Sequence, residues 1–156
     1  MNVHNVEFTR LDGTRLALAA FKGRSILVVN VASACGFTPQ YGPLQALADT
    51  FGETGPVIIG VPCNDFGAQE PGSSQTISDF CETRFGVTFP ITNKVEIVNP
   101  ATRHPFYQLI ANDLGDDALP KWNFHKYVVG PDGELVASFG SRVAPDAPEI
   151  RAALGV

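Results

Sequence analysis

The feature that most constrains this chain is a pair of short apolar runs. Residues 26–31 read ILVVNV, and residues 57–61 read VIIGV. Both are rich in β-branched residues, so each predicts a strand buried on both faces. Residues 40–50, between them, predict a helix. Strand, helix, strand in that order predicts a crossover joining two parallel strands. The chain therefore belongs to the α/β class, with helices packed on a central sheet.

The other signals fall in order around this unit. Alternating runs within residues 6–18 flank Asp12-Gly13, a two-residue hairpin signal. Residues 64–74, NDFGAQEPGSS, form a long polar loop after the second strand. Residues 75–85 predict a helix, with Ile77, Phe80, Cys81 and Phe85 near helical spacing and Ser73 or Ser74 as the cap. Residues 87–91 predict extended chain, 95–98 a short strand and 105–112 a short helix. Residues 124–129 and 135–139 predict a second hairpin around Asp132-Gly133, and 148–154 a closing helix. The 156 residues hold no repeat, linker or low-complexity tract, so a single domain with a mixed central sheet is expected over 1–156.

Composition narrows the classes of partner. The net charge of −5 argues against nucleic acid or an anionic membrane as the main partner. No window is long enough for a membrane span, and no stable membrane association is expected. The start, MNVHNVEFTRLDG, lacks the basic and apolar regions of a secretory signal, so the cytoplasm is the expected compartment. Three cysteines, Cys35, Cys63 and Cys81, are too few and too odd for a secreted disulfide scaffold. Thiols that pair in a reducing compartment are usually catalytic or redox-sensing. There is no C-x-x-C, which counts against a simple dithiol oxidoreductase. The Cys and His spacings fit no zinc pattern, and the reading requires no metal or other cofactor.

The chemistry concentrates where the first apolar run ends. Cys35 follows Ala32-Ser33-Ala34 and precedes the predicted helix, so it sits at the carboxyl end of a central strand, where open α/β sheets place their sites. The positive end of a helix favours a thiolate, and small neighbours leave the sulfur reachable. Cys35 is thus a candidate nucleophile, although a lone cysteine is also commonly a small core hydrophobe. Gln69 lies in the loop after the second strand, and Trp122-Asn123 at the start of a later one. If that later strand runs antiparallel to the first, all these residues meet at one sheet edge. Carboxamide and indole N–H groups are neutral donors that stabilise a thiolate, or charge developing on a leaving oxygen. Trp122 reads equally as a core aromatic and Gln69 as a solvated loop residue.

Three stretches together resemble the glutathione peroxidase family, in its cysteine-containing, short-chain form. They are Asn30-Val31-Ala32-Ser33-Ala34-Cys35-Gly36-Phe37-Thr38, then residues 60–72 (GVPCNDFGAQEPG), then Trp122-Asn123-Phe124-His125-Lys126-Tyr127. The resemblance runs from about Phe8 to about Phe139. It implies a thioredoxin-like fold and a catalytic tetrad of Cys35, Gln69, Trp122 and Asn123, with Cys35 attacking the peroxide. Asp65 departs from the glutamine common in the second stretch. A short connection between Tyr107 and Trp122 is similar to members without the extra loop of the tetramers, which implies a monomer or loose dimer.

The resemblance also implies a cycle. Cys35 becomes a sulfenic acid, which condenses with a second thiol. In thioredoxin-dependent members the resolving cysteine lies in the helix that holds Cys81 here, so Cys81 is the expected partner and Cys63 is structural. Thioredoxin would then reduce the disulfide. Lys121 and Lys126 are near by sequence but form no dense basic patch for glutathione's carboxylates. The alternatives are a glutathione-dependent one-cysteine peroxidase and a peroxide sensor that passes its disulfide to a partner protein.

Overall fold

The computed structural model describes residues 1–156. Strands β1 (Glu7–Thr9) and β2 (Arg15–Ala17) form an N-terminal hairpin, followed by β3 (Ile26–Val31), α1 (Tyr41–Phe51), β4 (Val57–Pro62) and α2 (Ser74–Phe85). Then come α3 (Pro105–Leu114), β5 (Lys126–Val129), β6 (Leu135–Phe139) and α4 (Pro148–Leu154). The main sheet has the order β4-β3-β5-β6. β3 runs parallel to β4 and antiparallel to β5, with Val29 opposite Lys126. The start of β5 therefore lies level with the end of β3.

Alternation along the central strands feeds two cores. On one face Ile26 and Val28 meet Phe106, Tyr107 and Ile110 of α3 and Phe8 and Leu16 of the hairpin. On the other, Leu27, Val29 and Val31 meet Tyr41, Leu44 and Leu47 of α1, Ile77 and Cys81 of α2, and Ile150 and Leu154 of α4. Each large aliphatic side chain so buried contributes about 1.5–3 kcal/mol relative to exposure. Cys35 and Cys81 belong to this second core.

Several details differ from the sequence expectation. Ser73 is the cap of α2, its Oγ accepting from the Thr76 N–H at 3.2 Å, whereas Ser74 bonds Asn93. Residues 95–98 make only isolated bridges, Val95 with Cys63 and Glu96 with Arg103. The N–H groups of Ile97 and Val98 donate to the Asp65 carboxylate at 2.7 and 2.9 Å instead of to a strand. That is the structural use of the residue that departs from the common glutamine. The last hairpin's first strand begins at Lys126 because Phe124 has φ +63°, which no strand accepts. No helix is long and apolar enough to cross a membrane.

Candidate active site

β3 ends at Val31, and the chain bends through Cys35 into a tight turn, Thr38–Gln40, that feeds α1. Cys35 is 8% exposed, so its sulfur lies just under the surface rather than open on it. The Phe37 N–H donates to Cys35 Sγ at 3.3 Å. The Cys35 N–H donates to Thr38 Oγ1 at 2.9 Å, and the same hydroxyl donates to the Ala32 carbonyl at 2.8 Å. Thr38 thus staples the loop closed at its neck. A backbone N–H thus points directly at the sulfur.

The Gln69 loop is tied to this bend. The Ala34 N–H donates to the Gln69 carbonyl at 3.1 Å. Asn123 is wholly buried and its Nδ2 donates to Gln69 Oε1 at 2.9 Å and to the Phe66 carbonyl at 3.1 Å. Gln69's own amide hydrogens are left free to donate. Trp122, 37% exposed, stands edge-on to Phe66, with ring centroids 6.3 Å apart. Its indole lies over Gly67. A Cβ there would come within 2.7 Å of Trp122 Cη2, and Gly67 has φ +77°, so both space and backbone require glycine. Ala68 and Phe124, next to Gln69 and Asn123, also hold positive φ, at about 1 kcal/mol or more each. The cavity beside the Cys35 loop, ≈ 470 Å³, is lined by Phe37, Trp122, Ser141, Arg142 and Val143.

The fold thus brings Gln69 and Asn123 together against the Cys35 loop, with Trp122 packed on the Gln69 loop. A sequence profile described as glutathione peroxidase matches residues 3–111. The chain belongs to the glutathione peroxidase family. It is 45% identical over 152 residues to the hydroperoxy fatty acid reductase gpx1 of Synechocystis, covering 92% of this chain and 89% of that protein. It is 41% identical over 155 residues to the glutathione peroxidase-like peroxiredoxin GPX5 of Chlamydomonas reinhardtii, covering 97% and 95%. Its fold is similar to that of the crystal structure of Trgpx in apo form, with TM-score 0.75, 28% identity and coverage of 100% and 97%. A thioredoxin-family thiol:disulfide interchange protein from Chlorobium tepidum shares the fold alone, with TM-score 0.66 at 16% identity over 99% and 97% of the chains. The fold is thioredoxin-like, and this glutathione peroxidase family member is an enzyme that reduces peroxides with a thiol reductant.

The other two thiols differ in setting, and all three are free. Burial pushes the Cys63 thiol up to about 12, which leaves it inert at neutral pH. Cys81, on the inner face of α2, is 3% exposed. Burial pushes its thiol up, the neighbouring Tyr41 hydroxyl partly offsets this, and the Glu70 charge adds to it. A second hollow of ≈ 600 Å³ reaches Cys81 between α2, the hairpin turn and residues 86–91.

Sequence reasoning gave no role to Asn30, Thr38 or Glu70. Asn30 donates to the Trp122 carbonyl at 3.0 Å and accepts from the His125 N–H at 3.1 Å, so it clamps the chain on both sides of Asn123. Its signal was visible: one polar residue inside an apolar strand must find partners. Thr38 and Glu70 carried no comparable signal, because their partners come from bends whose shape only the fold sets.

Proposed function

We propose that this family member is a two-cysteine thiol peroxidase with Cys35 as the peroxidatic residue. The observation that carries the reading is the Phe37 N–H on Cys35 Sγ at 3.3 Å, in a loop held by Gln69. Cys35 thiolate attacks one peroxide oxygen, the O–O bond breaks, and Cys35 becomes a sulfenic acid. Gln69 and Trp122 donate N–H groups to the oxygen that leaves as water or alcohol. Asn123 acts by orienting Gln69, since its amide hydrogens are already committed.

Cys81 then attacks the sulfenic sulfur, and thioredoxin reduces the resulting disulfide. A disulfide needs Cα atoms within about 7 Å, and in this cycle α2 opens locally to deliver Cys81. Its composition supports this: SQTISDFCETRF contains no Ala or Leu and buries only Ile77 and Cys81. Hydrogen peroxide and organic hydroperoxides are the substrates. The cavity beside the Cys35 loop, with Phe37, Trp122 and Val143 near Arg142, fits an amphiphilic hydroperoxide, in keeping with the name of the Synechocystis relative. Free thiols fit a reducing compartment, and we place the enzyme in the cytoplasm as a monomer or loose dimer.

A second reading has one observation in its favour. Arg142 at the cavity suits a reductant with carboxylates, such as glutathione, in a one-cysteine cycle. Intact mass and a peptide map after one equivalent of peroxide separate the two. Loss of two hydrogens with Cys35 joined to Cys81 is the expected result. An oxygen retained on Cys35 would overturn the role of Cys81 and favour glutathione, and an unchanged mass would sink Cys35 as the peroxidatic thiol.

A further inference from the structure

The short turn that follows β6 carries a cation without a partner. The Val143 N–H donates to the Gly140 carbonyl at 3.1 Å, so residues 140–143 form a turn with Ser141 and Arg142 at its corners. Arg142 is exposed and makes neither an ion pair nor a hydrogen bond. Other arginines are committed: Arg15 pairs with Glu7, Arg24 donates to the Gly55 carbonyl at 2.7 Å, and Arg103 donates to the Val98 carbonyl at 3.1 Å. Acidic partners are plentiful in a chain of net charge −5, and Arg142 takes none.

The turn is fixed to the Cys35 side of the molecule. The Ser141 carbonyl accepts from the buried Lys126 Nζ at 3.0 Å and from Gln40 Nε2 at 2.8 Å. Gln40 ends the tight turn that leads out of the Cys35 loop. Phe37, whose own N–H donates to Cys35 Sγ at 3.3 Å, lines the same cavity as Arg142. So does Trp122, whose indole lies over Gly67 beside Gln69. The cavity therefore shares walls with the Cys35 site. It has an apolar side of Phe37, Trp122 and Val143, and Arg142 is the one cation that lines it.

A planar guanidinium matches a carboxylate, which it binds through two parallel hydrogen bonds. We propose that Arg142 is a specificity-determining residue that binds the carboxylate of an organic hydroperoxide. This rests on the reading of Cys35 as the peroxidatic thiol and names the substrate class that the cavity selects. The hydrocarbon chain lies against Phe37, Trp122 and Val143, where its burial is favourable. The carboxylate belongs to the peroxide and not to the reductant. Glutathione carries two carboxylates and an ammonium, and it is polar along its length. A cavity with one cation and an apolar side suits a single carboxylate on a hydrocarbon chain instead.

Arg142→Gln and Arg142→Lys test this, with a fatty acid hydroperoxide and its methyl ester as probes, each kept below the concentration at which it forms micelles. Reduced enzyme is mixed rapidly with either probe and quenched in acid, and Cys35 oxidation is timed by mass, so no reductant enters. The quantity read is the ratio of the acid rate to the ester rate. It is expected to be about fivefold lower in Arg142→Gln than in the wild type, the scale of one exposed charge pair. Arg142→Lys should keep part of the ratio, because the charge remains while the fork is lost. Salt at about 0.5 M should bring the wild-type ratio down toward that of Arg142→Gln. A ratio that Arg142→Gln leaves unchanged would overturn the proposal, including the case in which acid and ester slow alike, as a merely structural change in the turn would cause. A loss confined to turnover with glutathione would also overturn it, by putting the carboxylate on the reductant. Failure of hydrogen peroxide to oxidise Cys35 in the wild type would instead overturn the peroxidatic reading of Cys35, and the anchor with it.

Discussion

In the proposed chemistry Asn123 works at one remove from the sulfur. Its amide hydrogens go to Gln69 and to the Phe66 carbonyl, and Asn30 fixes the backbone on either side of it. Gln69→Ala should therefore slow Cys35 oxidation by roughly 100-fold, the usual scale for losing one donor to a developing charge. Asn123→Ala should slow it less, and the double variant should match Gln69→Ala. Trp122 is the sole tryptophan, so any fluorescence change on oxidation reports on this residue alone. A double variant slower than Gln69→Ala by the full factor of Asn123→Ala would mean that Asn123 acts on its own.

At the scale of elements, α2 is the piece that the proposed cycle has to move. It is held by a serine cap, by a Gly86 terminus with φ +58°, and by the ring of Tyr41 against Phe80 and Phe85. Removing the cap weakens the helix without touching either thiol. Ser73→Ala should lower the local stability of α2 by about 1 kcal/mol. Amide exchange over residues 77–85 should quicken, and Cys35–Cys81 pairing should speed up by as much as about fivefold. Faster exchange with unchanged pairing would show that opening of α2 is not what limits resolution. The helix was legible from the spacing of Ile77, Phe80, Cys81 and Phe85. Which of two serines caps it was not, because Ser74 is drawn to Asn93 across the fold.

The molecule as a whole carries a lysine inside its core. Lys126 opens β5, is fully buried, and donates from Nζ to the Ser141 carbonyl at 3.0 Å. Burial lowers its pKa from 10.5 to about 8. The unfolded chain therefore holds this proton more tightly than the folded one. The folded state is penalised below about 8 and is relieved as pH rises from there to 10.5. Urea midpoints of wild type and Lys126→Met, measured across that window, should show the wild type gaining on the variant as pH rises. A difference that stays constant with pH would mean that the lysine titrates alike in both states. Comparing the two proteins cancels the contributions of all other groups.

The sequence by itself determined the crossover and the helix on each side of β4, because these follow from local apolar periodicity. It also marked Cys35, whose place at a strand end can be read along the chain. Gln69, Trp122 and Asn123 were proposed from residue type and from the assumption of an antiparallel strand. They gained weight only from three motifs taken together. Tertiary structure alone decided how these residues meet: the Val29–Lys126 register, the Asn123–Gln69 bond and the indole over Gly67. Tertiary structure also decided that Glu70, Tyr41 and Cys81 are buried. The physical reason is that hydrogen-bond partners and burial are properties of chain segments far apart in sequence, whereas periodicity is written within each segment.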